Sequence, residues 1–196
     1  VPLIPCRDRS AADWVVGSDL PWHRLVTFGP AGFDAYARLR FLPDPVRRGQ
    51  RESEVHPDGR RPDQAATLVA VLAGHTATPD DCFVGVWDGL GGPPPATHAP
   101  AGVIGRAEGV PHRSCWLFRG PLTDLLDTTQ GLSGEYLVDG LPAFVWPADH
   151  AWCVARDVDP HWAGIGGALP LITRLVTDAR LDVVPADPTE DQPFYR

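Results

Sequence analysis

The apolar residues of this chain are gathered into short runs that follow one another with few helical stripes between them, and that order decides which class of fold is open to it. Cys82 to Trp87, Ser114 to Phe118, Ala143 to Trp146, Ala151 to Asp157 and Leu181 to Val184 are each strand-sized and rich in β-branched or aromatic residues. Upstream, Ala37, Leu39 and Phe41 alternate with Tyr36, Arg38 and Arg40, so Ala35 to Leu42 is expected as a strand with one apolar face and one that carries two arginines. His23 to Phe28 also reads as extended, and Ser10 with Asp13 predicts a short capped helix that ends at Gly17. Two segments carry a long helical stripe. The first, capped by Asp63, places Ala65, Leu68, Val69 and Leu72 on one face and stops at Gly74. The second spans about Ala168 to Asp178, with Leu169, Ile172 and Val176 inward and Pro170 in the first turn, where a missing N–H is tolerated. Strands in runs, without strict alternation with helices, predict an α+β fold: a single domain over residues 1–196, a largely antiparallel mixed sheet, and two main helices packed on it. Proline, glycine and charge crowd residues 43–62 and 89–113, which are expected as long exposed loops.

A chain of 196 residues can bury a sizeable core without disulfides or metals. Its composition excludes several chemistries. All 17 basic residues are arginine, and without lysine there is no P-loop lysine, no Schiff base and no Ser-Lys pair. Without asparagine there is no Cys-His-Asn triad, and the five serines, Ser10, Ser18, Ser53, Ser114 and Ser133, form no G-x-S-x-G. The net charge of -8 argues against nucleic acid as a partner. The densest basic cluster, Arg47, Arg48, Arg51, Arg60 and Arg61, is interleaved with Asp44, Glu52, Glu54, Asp58 and Asp63, which cancel it along the sequence. Cys6, Cys82, Cys115 and Cys153 form no C-x-x-C pair, and the last three sit in apolar runs as buried thiols. With no long apolar stretch and no signal pattern, a cytoplasmic protein without membrane contact is expected.

Asp149, His150, Asp157, Asp159 and His161 form the densest polar cluster, and imidazole with carboxylate suits a divalent ion or acid/base work. Asp149, His150 and Asp157 are the catalytic candidates of a small hydrolase or lyase, and His150, Asp157, Asp159 and His161 the candidate ligands should a metal be present. Their spacing matches no standard metal pattern, and Pro160 favours a strand-end turn around Asp157 and Asp159. Cys153 and His150, three apart, would point to opposite faces of a strand, so they make no dyad. Gly164, Gly166 and Gly167 before the second helix could cradle a nucleotide or other anion, or could serve close packing. Arg38 and Arg40, two apart on one strand face, could clamp a carboxylate or phosphate, or simply lie in solvent. Seven tryptophans are more than a core of this size needs, so Trp87, Trp146, Trp152 and Trp162 are candidates to line a groove.

Several segments together resemble a family of uncharacterised actinobacterial proteins: Gly32-Phe33-Asp34-Ala35-Tyr36-Ala37-Arg38-Leu39, His75-Thr76-Ala77-Thr78-Pro79, Val86-Trp87-Asp88-Gly89, Leu117-Phe118-Arg119-Gly120-Pro121 and Trp146-Pro147-Ala148-Asp149-His150-Ala151-Trp152-Cys153-Val154. The resemblance covers most of the chain and implies a single domain and no particular activity. The sequence therefore favours a non-enzymatic binding or interaction protein, acidic, without a cofactor, that presents tryptophan and arginine to a protein or small ligand. An immunity or antitoxin-like role would suit such a domain. The Asp/His enzyme and the glycine-loop nucleotide or anion binder are the alternatives.

Overall fold

β3 (Cys82–Trp87) is buried along its whole length, which is possible only where both faces of a sheet are covered. The computed structural model describes residues 3–56, 64–88, 103–104, 114–126, 137 and 139–196. Within them β1 (Ile4–Pro5), β2 (Ala35–Arg40), β3, β5 (Cys115–Gly120), β6 (Phe144–Pro147), β7 (Trp152–Ala155), β8 (Trp162–Gly167) and β9 (Val183–Ala186) form one sheet in the order β1-β5-β3-β6-β7-β8-β2-β9. β4 (Val103–Ile104) also pairs with β5, and every pairing is antiparallel. The chain thus has a single-domain α+β fold, and no described helix is long and apolar enough to cross a membrane.

The two-residue period of the strands sorts their side chains onto two cores. Val84, Val145, Trp152, Val154 and Ile165 point to one face, where Leu68 and Leu72 of α3 (Ala65–Ala73) and Leu171 and Leu175 of α4 (Leu169–Thr177) cover them. Phe83, Leu117, Phe144, Trp146 and Cys153 point to the other, under Val15 of α1 (Asp13–Val16) and Leu25 and Val26 of α2 (Trp22–Phe28). Each such aliphatic or aromatic side chain contributes about 1.5–3 kcal/mol by leaving water.

α2 reaches the sheet because β8 carries glycine beneath it. A Cβ on Gly164 would lie 2.9 Å from the Phe28 Cα and would overlap the Thr27 carbonyl oxygen. Gly29 ends α2 at φ 75°, in the left-handed region, and a Cβ there would meet the Cys153 side chain, its sulfur at 2.8 Å.

Several sequence expectations change here. Residues 23–28 are helical: Pro21 opens α2, and Leu25, Val26 and Phe28 turn to the core. The Gly164–Gly167 segment is a strand, not a loop. In α4 the buried residues are Leu171, Ile172 and Leu175, with Val176 partly buried against the core, while Leu169 is exposed, so the helix turns the 171/172/175 face to the sheet. Residues 43–56 are an irregular and mostly exposed loop, as expected, although Asp44 within it is only a quarter exposed. In the 89–113 segment Val103–Ile104 pair as β4. Asp63 and residues 57–62 lie outside the described residues.

Candidate binding site

The best-supported site begins at a carboxylate. Asp44, just past β2, accepts hydrogen bonds from Arg38 Nη1 at 2.7 Å and Nη2 at 3.1 Å, from Arg40 Nη1 at 3.1 Å and from His161 Nε2 at 3.1 Å. The pleat of β2 explains why both arginines arrive there, since Arg38 and Arg40 point to the same face. Arg40 also bonds Asp182 with Nη2 at 2.7 Å, and Gln64 ties this region to the helix layer by donating to the Arg40 carbonyl at 2.7 Å while its side-chain oxygen accepts from the Asp182 amide. Arg38, at 7% side-chain exposure, lies 5.4 Å over the Trp162 ring. Burial pushes the Asp44 carboxyl up, but His161, Arg38 and Arg40 outweigh it and hold the group well below the ordinary carboxylate range.

This network fixes two neighbouring segments. Tyr195 donates its hydroxyl proton to the Pro43 carbonyl, and its ring meets His161 edge-on at 4.7 Å. Trp162 Nε1 donates to the Pro193 carbonyl at 3.3 Å, and the Arg196 amide to the Gln50 carbonyl at 2.9 Å. Between the segments thus held, residues 45–49 and 192–196, lies a cleft of about 920 Å³. Arg47, Arg48 and Arg196 line it beside Val46 and Phe194, which are 90% and 74% exposed. Arg47 pairs with Glu54. Neither Arg48 nor Arg196 has a carboxylate partner among the described residues.

Most of the residues singled out from the sequence lie elsewhere. Asp149 and His150 form the turn from β6 to β7, whereas Asp157, Asp159 and His161 follow the far end of β7. Six residues of largely extended chain, on the order of 20 Å, separate His150 from Asp157, so Asp149, His150 and Asp157 are not brought together. Among the described residues no group of three or more His, Cys, Asp or Glu is placed to hold a metal ion. Asp149 accepts from the Ala77 amide at 2.7 Å, the Thr76 hydroxyl at 2.8 Å and the Ala151 amide at 3.1 Å. Burial raises its pKa, but the Ala77 and Thr76 donors outweigh that and the carboxyl is held low. His150 sits at φ 54° with its ring stacked 4.1 Å from Trp14, and burial lowers its pKa. Asp157 bonds the Val158 amide at 2.8 Å, as a turn aspartate does.

Gly166 and Gly167 lie inside β8. The Cβ position of Gly166 is taken by the Phe33 ring and Tyr36, and that of Gly167 by Leu171, 2.8 Å away. Trp87, Trp146, Trp152 and Trp162 are all buried. Trp152 donates to the Leu72 carbonyl at 3.1 Å and Trp87 to the Arg156 carbonyl at 3.3 Å, so a surface lined by these four is corrected to an interior that they fill. Arg38 and Arg40 are corrected likewise: their guanidinium groups face Asp44 and Asp182, and the arginines at the open cleft are Arg47, Arg48 and Arg196. No local sequence signal marks them, because Asp44 and Glu52 lie four residues to either side of Arg48 and the cluster reads as cancelled along the chain. Compared with known proteins, the chain matches no family model, no curated protein and no solved structure.

Proposed function

We propose that the protein is a non-enzymatic binding protein whose partner is anionic and docks in the cleft between residues 45–49 and 192–196. The observation that carries this is the pair Arg48 and Arg196, without carboxylate partners among the described residues and beside exposed Val46 and Phe194, in a chain of net charge -8. Arg48 and Arg196, brought together on one cleft next to apolar side chains, make a surface complementary to negative charge. The buried Asp44 network supports the same reading, since it pre-organises the walls and so lowers the ordering cost of binding. The separation of Asp149 and His150 from Asp157 along β7 favours binding over the hydrolase or lyase alternative. Four free, buried cysteines support a cytoplasmic setting.

Retention on immobilised anionic ligands tests the proposal: a Glu-rich peptide, a phosphopeptide, citrate and a nucleotide, each at about 0.15 M salt, where distant surface charges are screened. The native protein should be held by at least one of them and the Arg47→Glu/Arg48→Glu variant by none. Equal retention of the two proteins, or passage of the native protein through all four, would contradict it.

A further inference from the structure

We infer that the occupant of the cleft is an acidic polypeptide segment that carries an aromatic or large aliphatic side chain, and not a small free anion; this assignment rests on the proposed anionic site. Two observations separate the possibilities. A small-molecule site encloses most of its ligand's surface, yet here Val46 and Phe194 stand 90% and 74% exposed, so a small anion would leave both uncovered. A polypeptide would cover them while its carboxylates meet the guanidinium groups. The second is the alternation of chemistry on the walls, with Val46 next to Arg47 and Arg48, and Phe194 two residues before Arg196. A partner whose apolar side chains stand next to acidic ones matches that order, because apolar contact beside a charge pair shields it from water and strengthens it. Arg47 already has Glu54, so Arg48 is the arginine free to take the first partner carboxylate. Its fork of donors suits a bidentate contact.

The test uses the full chain and a fluorescein-labelled peptide of about ten residues, mostly Glu with two Phe, followed by fluorescence anisotropy. A sister peptide has Gly in place of Phe, and inorganic phosphate and citrate serve as competitors. The expected result is saturable binding by the Phe peptide, about tenfold weaker on Arg48→Glu and several-fold weaker on Phe194→Ser, where tenfold corresponds to about 1.4 kcal/mol. The Arg7→Glu variant changes net charge equally at an exposed position just after β1, at the opposite end of the sheet from β2 and the cleft, and should bind within about twofold of native, as expected of a charge beyond the Debye length. Thermal melts of the three variants should overlay the native melt, since each site is exposed. If the Gly peptide, phosphate or citrate binds as tightly as the Phe peptide and shares its Arg48 dependence, the polypeptide assignment is overturned while the anionic site stands. If Arg7→Glu weakens binding as much as Arg48→Glu does, or no probe binds, both fall.

Discussion

Replacing Asp44 with alanine should be among the most damaging single changes outside the apolar core. Arg38 is 7% exposed and meets both Asp44 oxygens, while His161, at 1% exposure, and Arg40 share the same carboxylate. Removing one partner of a buried pair costs about 3–5 kcal/mol, because the charge left behind stays out of water. Asp44 itself is 25% exposed and Arg40 keeps Asp182, so the lower end, about 3 kcal/mol, is expected. With a urea slope of about 1–3 kcal/mol per molar, the unfolding midpoint should fall by about 1 M or more. Asp44→Asn retains an acceptor and should lose about half as much, in keeping with a hydrogen bond that no longer bears charge. The acid limb supplies a second readout. A carboxyl whose folded pKa is depressed stabilises the protein above its unfolded pKa, about 3.9, and loses that contribution as pH falls through the folded value. Native protein should therefore lose stability steeply below about pH 4, and Asp44→Ala should show a shallower decline. A loss from Asp44→Ala below about 1 kcal/mol, the range of an exposed ion pair, would refute the view that this network is a buried one.

Other outcomes follow from the same geometry. Gly164→Ala forces a methyl group into the backbone of Thr27 and Phe28 and should cost about 3 kcal/mol or more, whereas Gly85→Ala, whose nearest atom is 3.4 Å away, should cost under about 1.5, as differential scanning calorimetry can check. Glu54→Gln breaks only the exposed pair with Arg47 and should change the urea midpoint by an amount worth less than about 1 kcal/mol. Cys82, whose thiol burial pushes up to about 12, and Cys153, raised by complete burial, should resist a thiol reagent at pH 8 until the protein is unfolded in urea; fast labelling of Cys153 in the native state would contradict its place under Gly29. Asp149→Ala should cost about 0.5–1.5 kcal/mol, for the exposed amides of Ala77 and Ala151 exchange its carboxylate for water.

The strands were legible because alternation and apolar runs report burial directly. β3, β5, β6, β7 and β9 each fall within two residues of their sequence-predicted limits. α2 was not, since seven residues with two β-branched ones offer no long stripe, and only Pro21 at its start marks it. β8 was hidden by its glycines, which look like a loop in sequence and are instead the space that α2 and Phe33 occupy. The site was the least legible part. Arg38 and Arg40 were correctly placed on one strand face, but a sequence cannot show that Asp44, four residues past Arg40, folds back to neutralise both. Nor could it show that residues 192–196 return beside residues 45–49, because contacts separated by some 150 residues leave no local pattern.

Amide chemical-shift mapping with the Glu/Phe peptide tests the central claim most directly. Shifts should concentrate at residues 45–50 and 192–196 and fade as salt rises from about 0.05 to 0.5 M, as a contact between opposite charges requires. Shifts centred instead on the Asp149–Ala151 turn or at the junction of β8 with α4, with the cleft silent, would contradict it.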